Sequence, residues 1–150
     1  MEIATLVVVV MVIVTALIFD FTNGFHDTAN AMATSIATGA LKPRTAVIAA
    51  GTLNLIGAFL STEVAQTISG GLINEQQVAI GPEFIFAGLV GAILWNLLTW
   101  LVGLPSSSSH ALFGGLVGAV IVGAGFEGVN FMGVLTKILI PALVSVLVAA

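Results

Sequence analysis

Apolar stretches long enough to cross a membrane alternate with short polar ones along this chain. Residues 3–19 are almost wholly apolar, 20–30 are rich in polar side chains, and 31–41 turn apolar again. Together they are nearly twice the roughly 20 residues that one crossing needs. The pattern therefore predicts a first span over residues 3–41, broken near Gly24, where glycine is a poor helix residue and frees backbone groups. A polar turn at Lys42, Pro43 and Arg44 leads to a second span over 45–65. Residues 66–83 read as a polar loop ending in Gly81-Pro82, and 84–104 as a third span. Pro105 and a run of serines interrupt there. The apolar segment that follows is short for a crossing, so residues 106–125 are expected to enter the membrane and return. A last span starts at 133, and residue 150 falls inside it, so the chain reads as a piece of a longer protein. Two heptapeptides, Phe86-Ala-Gly-Leu-Val-Gly-Ala and Phe113-Gly-Gly-Leu-Val-Gly-Ala, read as shared helix-packing composition rather than a repeat.

This organisation predicts an all-α fold: one polytopic helical membrane domain with a broken first helix and a re-entrant helix hairpin. Composition agrees. Hydrophobic residues are 59% and charged ones 7%, against roughly 25% charged in soluble domains. The short alternating strands of a membrane barrel are absent from the pattern. With no cysteine, disulfides and thiolate metal sites are excluded. Net charge is −4 without a basic run, which points away from nucleic acid and from a polybasic lipid-binding patch. No basic residue precedes the first apolar run, and no small-residue cleavage site follows it, unlike a signal peptide. Lys42 and Arg44 share one short loop, so that loop is expected in the cytoplasm, with the N-terminus outside. Lys137 then favours re-entry of 106–125, which would keep it inside.

The candidate chemistry begins in Asp20-Phe-Thr-Asn23-Gly-Phe-His26-Asp27-Thr-Ala-Asn30-Ala31. An ionisable group at bilayer depth costs about 2.5–3.5 kcal/mol or more, so two aspartates there point to binding of an ion, proton or substrate. On a helix, Asp20, Asn23, Asp27 and Asn30 share a stripe that Thr34 and Thr38 extend. Carboxylate, amide and hydroxyl are hard oxygen donors suited to Na⁺, Mg²⁺ or a proton, with Na⁺ or H⁺ expected at Asp20 and Asp27. His26 lies off the stripe and reads as a packing or hydrogen-bonding residue.

The second candidate is Gly103-Leu-Pro105-Ser106-Ser107-Ser108-Ser109-His110. Serine is a preferred helix N-cap, and proline suits the approach to a helix start. Hydroxyls, free N–H groups and the positive end of the dipole converge there as an anion site. Gly114, Gly115 and Gly118 would allow close helix approach. All three basic residues, Lys42, Arg44 and Lys137, sit at or near loops. An anion in the membrane must therefore rely on serines, helix N-termini and a bound cation, which is the logic of a cation–anion symporter. An intramembrane serine hydrolase fits poorly: Ser109 and His110 would point apart on a helix, and no Gly-x-Ser-x-Gly elbow is present.

At these two motifs the chain resembles the inorganic phosphate transporter (PiT) family, and the order of spans and motifs matches over essentially all 150 residues. The resemblance implies two inverted repeats with phosphate bound between them, and co-transport with Na⁺, or with H⁺ in many bacterial members. Some of these carry neutral metal–phosphate complexes. By the same resemblance, Asp20, Asn23, Asp27 and Asn30 contribute to cation coupling, and Asn23, Asp27, Asn30, Ser106, Ser107, Ser108 and Ser109 to phosphate. This would be the N-terminal repeat in a multi-pass plasma-membrane protein. It would need a C-terminal repeat as partner, or an antiparallel second copy, with room for a homodimer. It would need no cofactor beyond the coupling ion, and lipid would surround it. Sulfate or another oxyanion on the same fold is the nearest alternative.

Overall fold

The computed structural model describes residues 3–60, 71–73 and 81–149. The end of the expected second span and most of the polar loop at 66–83 lie outside the described residues. Among those described, the elements are α1 (Ile3–Ala37), α2 (Pro43–Leu60), α3 (Pro82–Val102), α4 (Ser108–Ala124), a 3₁₀ turn (Phe126–Gly128) and α5 (Phe131–Ala149). The fold is all-α.

Helix α1 is one continuous helix of 35 residues, about 52 Å long at 1.5 Å per residue. The expected break near Gly24 does not form. A helical glycine costs only about 0.5–1 kcal/mol relative to alanine, too little to interrupt an otherwise apolar helix. Threonines in α1 also return their hydroxyls to the helix itself, Thr15 to the Met11 carbonyl at 2.8 Å and Thr22 to that of Phe19 at 2.9 Å. The polar segment is thus carried on an intact helical ladder.

Helix α3 opens at Gly81 with Pro82 in its first turn, and closes at Gly103, φ +73°. There the Leu104 N–H donates to the Thr99 carbonyl at 2.8 Å, the six-to-one bond of a glycine-terminated helix. Pro105 then prevents continuation. Ser107 caps α4, which returns antiparallel along α3. A methyl on Gly115 would strike the Gly88 carbonyl, and one on Gly88 would stand 2.9 Å from Leu116 Cα. The two heptapeptides therefore pack on each other at their shared third position, and glycine is what permits that approach.

Phe19 packs with Leu89 and Ala92, and the Phe25 ring meets Trp100 edge to face at 5.5 Å, so α1 and α3 run parallel. Helix α2 runs back along the other side of α1: Phe21, Ala37, Val47 and Asn54 line one groove between them. A second cluster, Leu72, Ile73, Leu116, Val120 and Val129, closes the end where α3 begins.

A helix hairpin is formed by α3 and α4, and not within residues 106–125 as expected. Residues 108–124 contain no reversal of their own, and Gly123 ends against Phe84 at the start of α3. Lys137 lies against Gly71 at that same end, opposite Lys42 and Arg44. It sits in a π-helical turn, Leu135–Leu139, within α5. Helices α1, α3 and α5 are long and apolar enough to cross a membrane, and much of their apolar surface faces outward.

Candidate functional site

The face of α1 that packs inward is Thr15, Phe19, Thr22 and His26. At 100° per residue, the stripe of Asp20, Asn23, Asp27 and Asn30 lies about 90° round the axis from it. The stripe thus forms the flank of the α1–α3 contact, and α4 begins beside that flank. The Ser108 hydroxyl, on a residue only 2% exposed, donates to the Asp27 carboxylate and lies 3.0 Å from each oxygen. This bond joins the two motifs that stand 81 residues apart. It also puts a carboxylate beside the positive end of α4.

The four serines divide their work. Ser106 shares a hydrogen bond of 3.2 Å with Thr99. Ser107 is the N-cap, accepting from the His110 N–H at 3.4 Å and pairing with His110 Nδ1 at 2.8 Å. Ser108 holds Asp27, and Ser109 is exposed. A serine–histidine pair therefore exists, yet it is Ser107 with His110, and Ser107 is occupied as a helix cap. Among the described residues no carboxylate bonds that imidazole. Between α3 and α4 a cleft of about 550 Å³ is lined by Trp95, Ser106, Ser107, His110, Ala111 and Gly115, among others. The larger groove between α1 and α2, about 740 Å³, is lined by no charged side chain.

The remaining candidates are less engaged. Asp20 and Asn30 are exposed and make no side-chain hydrogen bond to another described residue. Asp20 lies two turns from Asp27, about 10 Å along the axis. Because α1 is unbroken, its backbone carbonyls around Gly24 are committed to the helix and do not add to a cation site. Asn23 is partly buried, and its Oδ1 is buried without a partner.

His26, expected as a packing or hydrogen-bonding residue, is 4% exposed, inside the α1–α3 contact. One residue was not anticipated. Asn96, on α3, is 1% exposed, with both side-chain polar atoms unpaired. Its signal was present in the sequence: one amide in the middle of an apolar span, where a polar group is costly. Thr99, one turn on, completes the buried polar face of α3.

The model of the phosphate transporter family matches residues 23–150. A protein of Mycobacterium tuberculosis (strain ATCC 25618 / H37Rv) named "Probable low-affinity inorganic phosphate transporter" is 62% identical over 96% of this chain. One of the same name from Bacillus subtilis (strain 168) is 49% identical over 85% of it, and the "Low-affinity inorganic phosphate transporter PitB" of Escherichia coli (strain K12) 34% identical over 99%. The alignments cover 34%, 38% and 32% of those proteins, so the chain spans about a third of their length. The solved structure of "The sodium-dependent phosphate transporter" superposes with a TM-score of 0.79 at 29% identity, over 89% of this chain and 34% of that one.

Proposed function

We propose that this chain, which belongs to the phosphate transporter family, forms one repeat of a protein that carries inorganic phosphate across the plasma membrane by symport with a cation. The family's members are transporters and not enzymes, and the chain is a membrane protein. The observation that carries the proposal is the bond from Ser108 to Asp27, which brings the carboxylate motif to the serine-capped start of α4.

That contact suggests why transport would be coupled. An anion drawn to the start of α4 meets Asp27 already there. Two unit charges about 5 Å apart repel by roughly 3 kcal/mol at an effective dielectric of 20. A cation on Asp27 cancels this repulsion and leaves the serine hydroxyls and free N–H groups to hold the oxyanion. Asp27 with Asn23 is the proposed cation end. Ser106, Ser107 and Ser108 beside the α3–α4 cleft form the proposed anion end. Asp20, Asn30 and Ser109 are assigned to the same pathway, to act when the rest of the protein closes over the exposed flank. The name of the similar solved structure supports Na⁺ as the coupling ion. The N-terminus is assigned to the outside, a C-terminal repeat is the proposed partner, and a homodimer the proposed assembly.

The test is uptake of labelled phosphate by the full-length protein in liposomes, with Na⁺ and H⁺ gradients imposed separately. Saturable uptake driven by one gradient is expected, resisted by excess sulfate and inhibited by arsenate, whose shape and charge match phosphate. Gradient-independent ohmic anion current, or equal uptake of sulfate, would overturn it.

A further inference from the structure

Among the described residues, four buried side-chain polar atoms have no hydrogen-bond partner: Asn23 Oδ1, His26 Nδ1, and Asn96 Oδ1 and Nδ2. They belong to one layer. Ala92, one turn before Asn96 on α3, packs with Phe19, and Trp100, one turn after it, packs on Phe25. Asn96 therefore faces α1 between those contacts, at the level of residues 22–26. Thr99, the next polar residue on that face, is already bonded to Ser106 and to backbone carbonyls of its own helix. An amide buried without a partner costs on the order of 1–3 kcal/mol by protein mutational data, and here the unpaired groups are concentrated in a single place.

Their chemistry limits how they can be satisfied. Nδ2 of Asn96 is the one certain donor, and His26 Nδ1, in the neutral tautomer protonated at Nε2, is an acceptor without a hydrogen. Were those two to pair, the amide oxygens of Asn23 and Asn96, both buried without a partner, would remain. Both can only accept, so their occupant must be a cation or a hydrogen-bond donor. The unbroken α1 supplies no free carbonyl here, so a cation beside Asp27 needs oxygen from another helix. Among the described residues Asn96 Oδ1 is the one buried, unpaired side-chain oxygen outside α1. Two neutral amides and a carboxylate make a hard, singly charged set, which suits an alkali cation rather than a transition metal.

We propose that Asn96 is the α3 ligand of a Na⁺ site shared with Asn23 and Asp27, and that His26 orients the Asn96 amide so that its oxygen faces the ion. The proposal rests on the cation-coupled reading above and names the helix that completes its cation end. It also gives the buried histidine a positioning role.

The test compares wild-type full-length protein with Asn96→Leu and Asn96→Asp in proteoliposomes, measuring phosphate uptake against Na⁺ and, at saturating Na⁺, against phosphate. In parallel, the rise in unfolding temperature caused by NaCl over choline chloride is measured on purified protein. Asn96→Leu should raise the Na⁺ concentration for half-maximal uptake about tenfold or more, as loss of metal-site partners does, leave the phosphate KM within about twofold, and remove the Na⁺-specific thermal shift. Asn96→Asp keeps an oxygen and should retain both the Na⁺ response and the shift. The inference is overturned if Asn96→Leu leaves Na⁺ dependence unchanged, or weakens Na⁺ and phosphate equally as a packing defect would. If Asn96→Leu does not fold, loss of the Na⁺-specific shift in a folded Asn96→Asp overturns it. Wild-type phosphate uptake with no Na⁺ dependence overturns this site while phosphate transport stands. Absence of phosphate uptake under either gradient overturns the transport reading, and this site with it.

Discussion

Asp27 is the residue at which the two motifs become one site, because among the described residues it alone of the stripe receives a buried hydroxyl from another helix. Its replacement by Asn keeps the shape and removes the charge that would bind a cation. Asp27→Asn in the full-length protein should abolish phosphate uptake with expression unchanged. Asp20→Asn should do the same if the cation passes both carboxylates in turn; wild-type uptake in that variant would remove Asp20 from the pathway. The serines should separate. A hydrogen bond to a charged group contributes about 1.5–3 kcal/mol, so Ser108→Ala should lower uptake about tenfold or more at subsaturating phosphate. Ser109 is exposed and makes no side-chain hydrogen bond to a described residue, so Ser109→Ala should stay within about twofold. Initial rates of labelled uptake, scaled to protein in the membrane, would check this order. The serine run was readable as an anion-binding helix start, but the division among its four members was not. Which hydroxyl caps, which bridges and which faces out depends on how α4 is rotated against α3 and α1.

At the scale of elements, the continuous α1 and the glycine seam of α3 and α4 make opposite predictions for glycine. The place where a Cβ would stand at Gly24 has no heavy atom within 4 Å, so Gly24→Ala should leave folding intact or improve it by up to about 1 kcal/mol, with uptake preserved. Loss of uptake in a well-folded Gly24→Ala would show that the helix must open there during transport. Gly88→Ala places a methyl against the backbone of Leu116, which cannot move aside as a side-chain tip can. It should destabilise the protein by about 1–3 kcal/mol, seen as a lower unfolding temperature and less monodisperse protein in detergent. The described starts of α1, α2, α3 and α5 lie close to those of the apolar runs read in the sequence, because hydropathy acts locally. The break near Gly24 was expected from a polar, glycine-containing segment, but the helical ladder outweighs one glycine. The reversal expected within 106–125 instead belongs to the α3–α4 pair, since the packing partner, and not the length of the segment, sets the path.

For the whole molecule, Lys42 and Arg44 mark one end of the bundle and Lys137, against Gly71, the other. In the proposed orientation the first end, with the paired basic residues, faces the cytoplasm. In a cysteine-free background, Thr38→Cys should react with a membrane-impermeant maleimide only from inside, and Glu127→Cys only from outside; the reverse pattern would invert the topology. Much apolar surface on α1, α3 and α5 faces outward, and so does the acidic flank of α1. Lipid suits the apolar surface, whereas exposed carboxylates at bilayer depth need a protein or aqueous neighbour.

Hydropathy and residue chemistry along the chain were enough for the all-α membrane class and the two motifs that meet. These follow from local properties: apolar length against bilayer thickness, and the cost of carboxylates in an apolar segment. Folding added the contacts among helices distant in sequence. Ser108 reaches Asp27, Asn96 and His26 are sealed between α1 and α3, and the stripe of oxygens becomes a flank instead of the packed face. A helix read alone shows which residues share a side, but its orientation is set by the neighbours against which its other sides are buried.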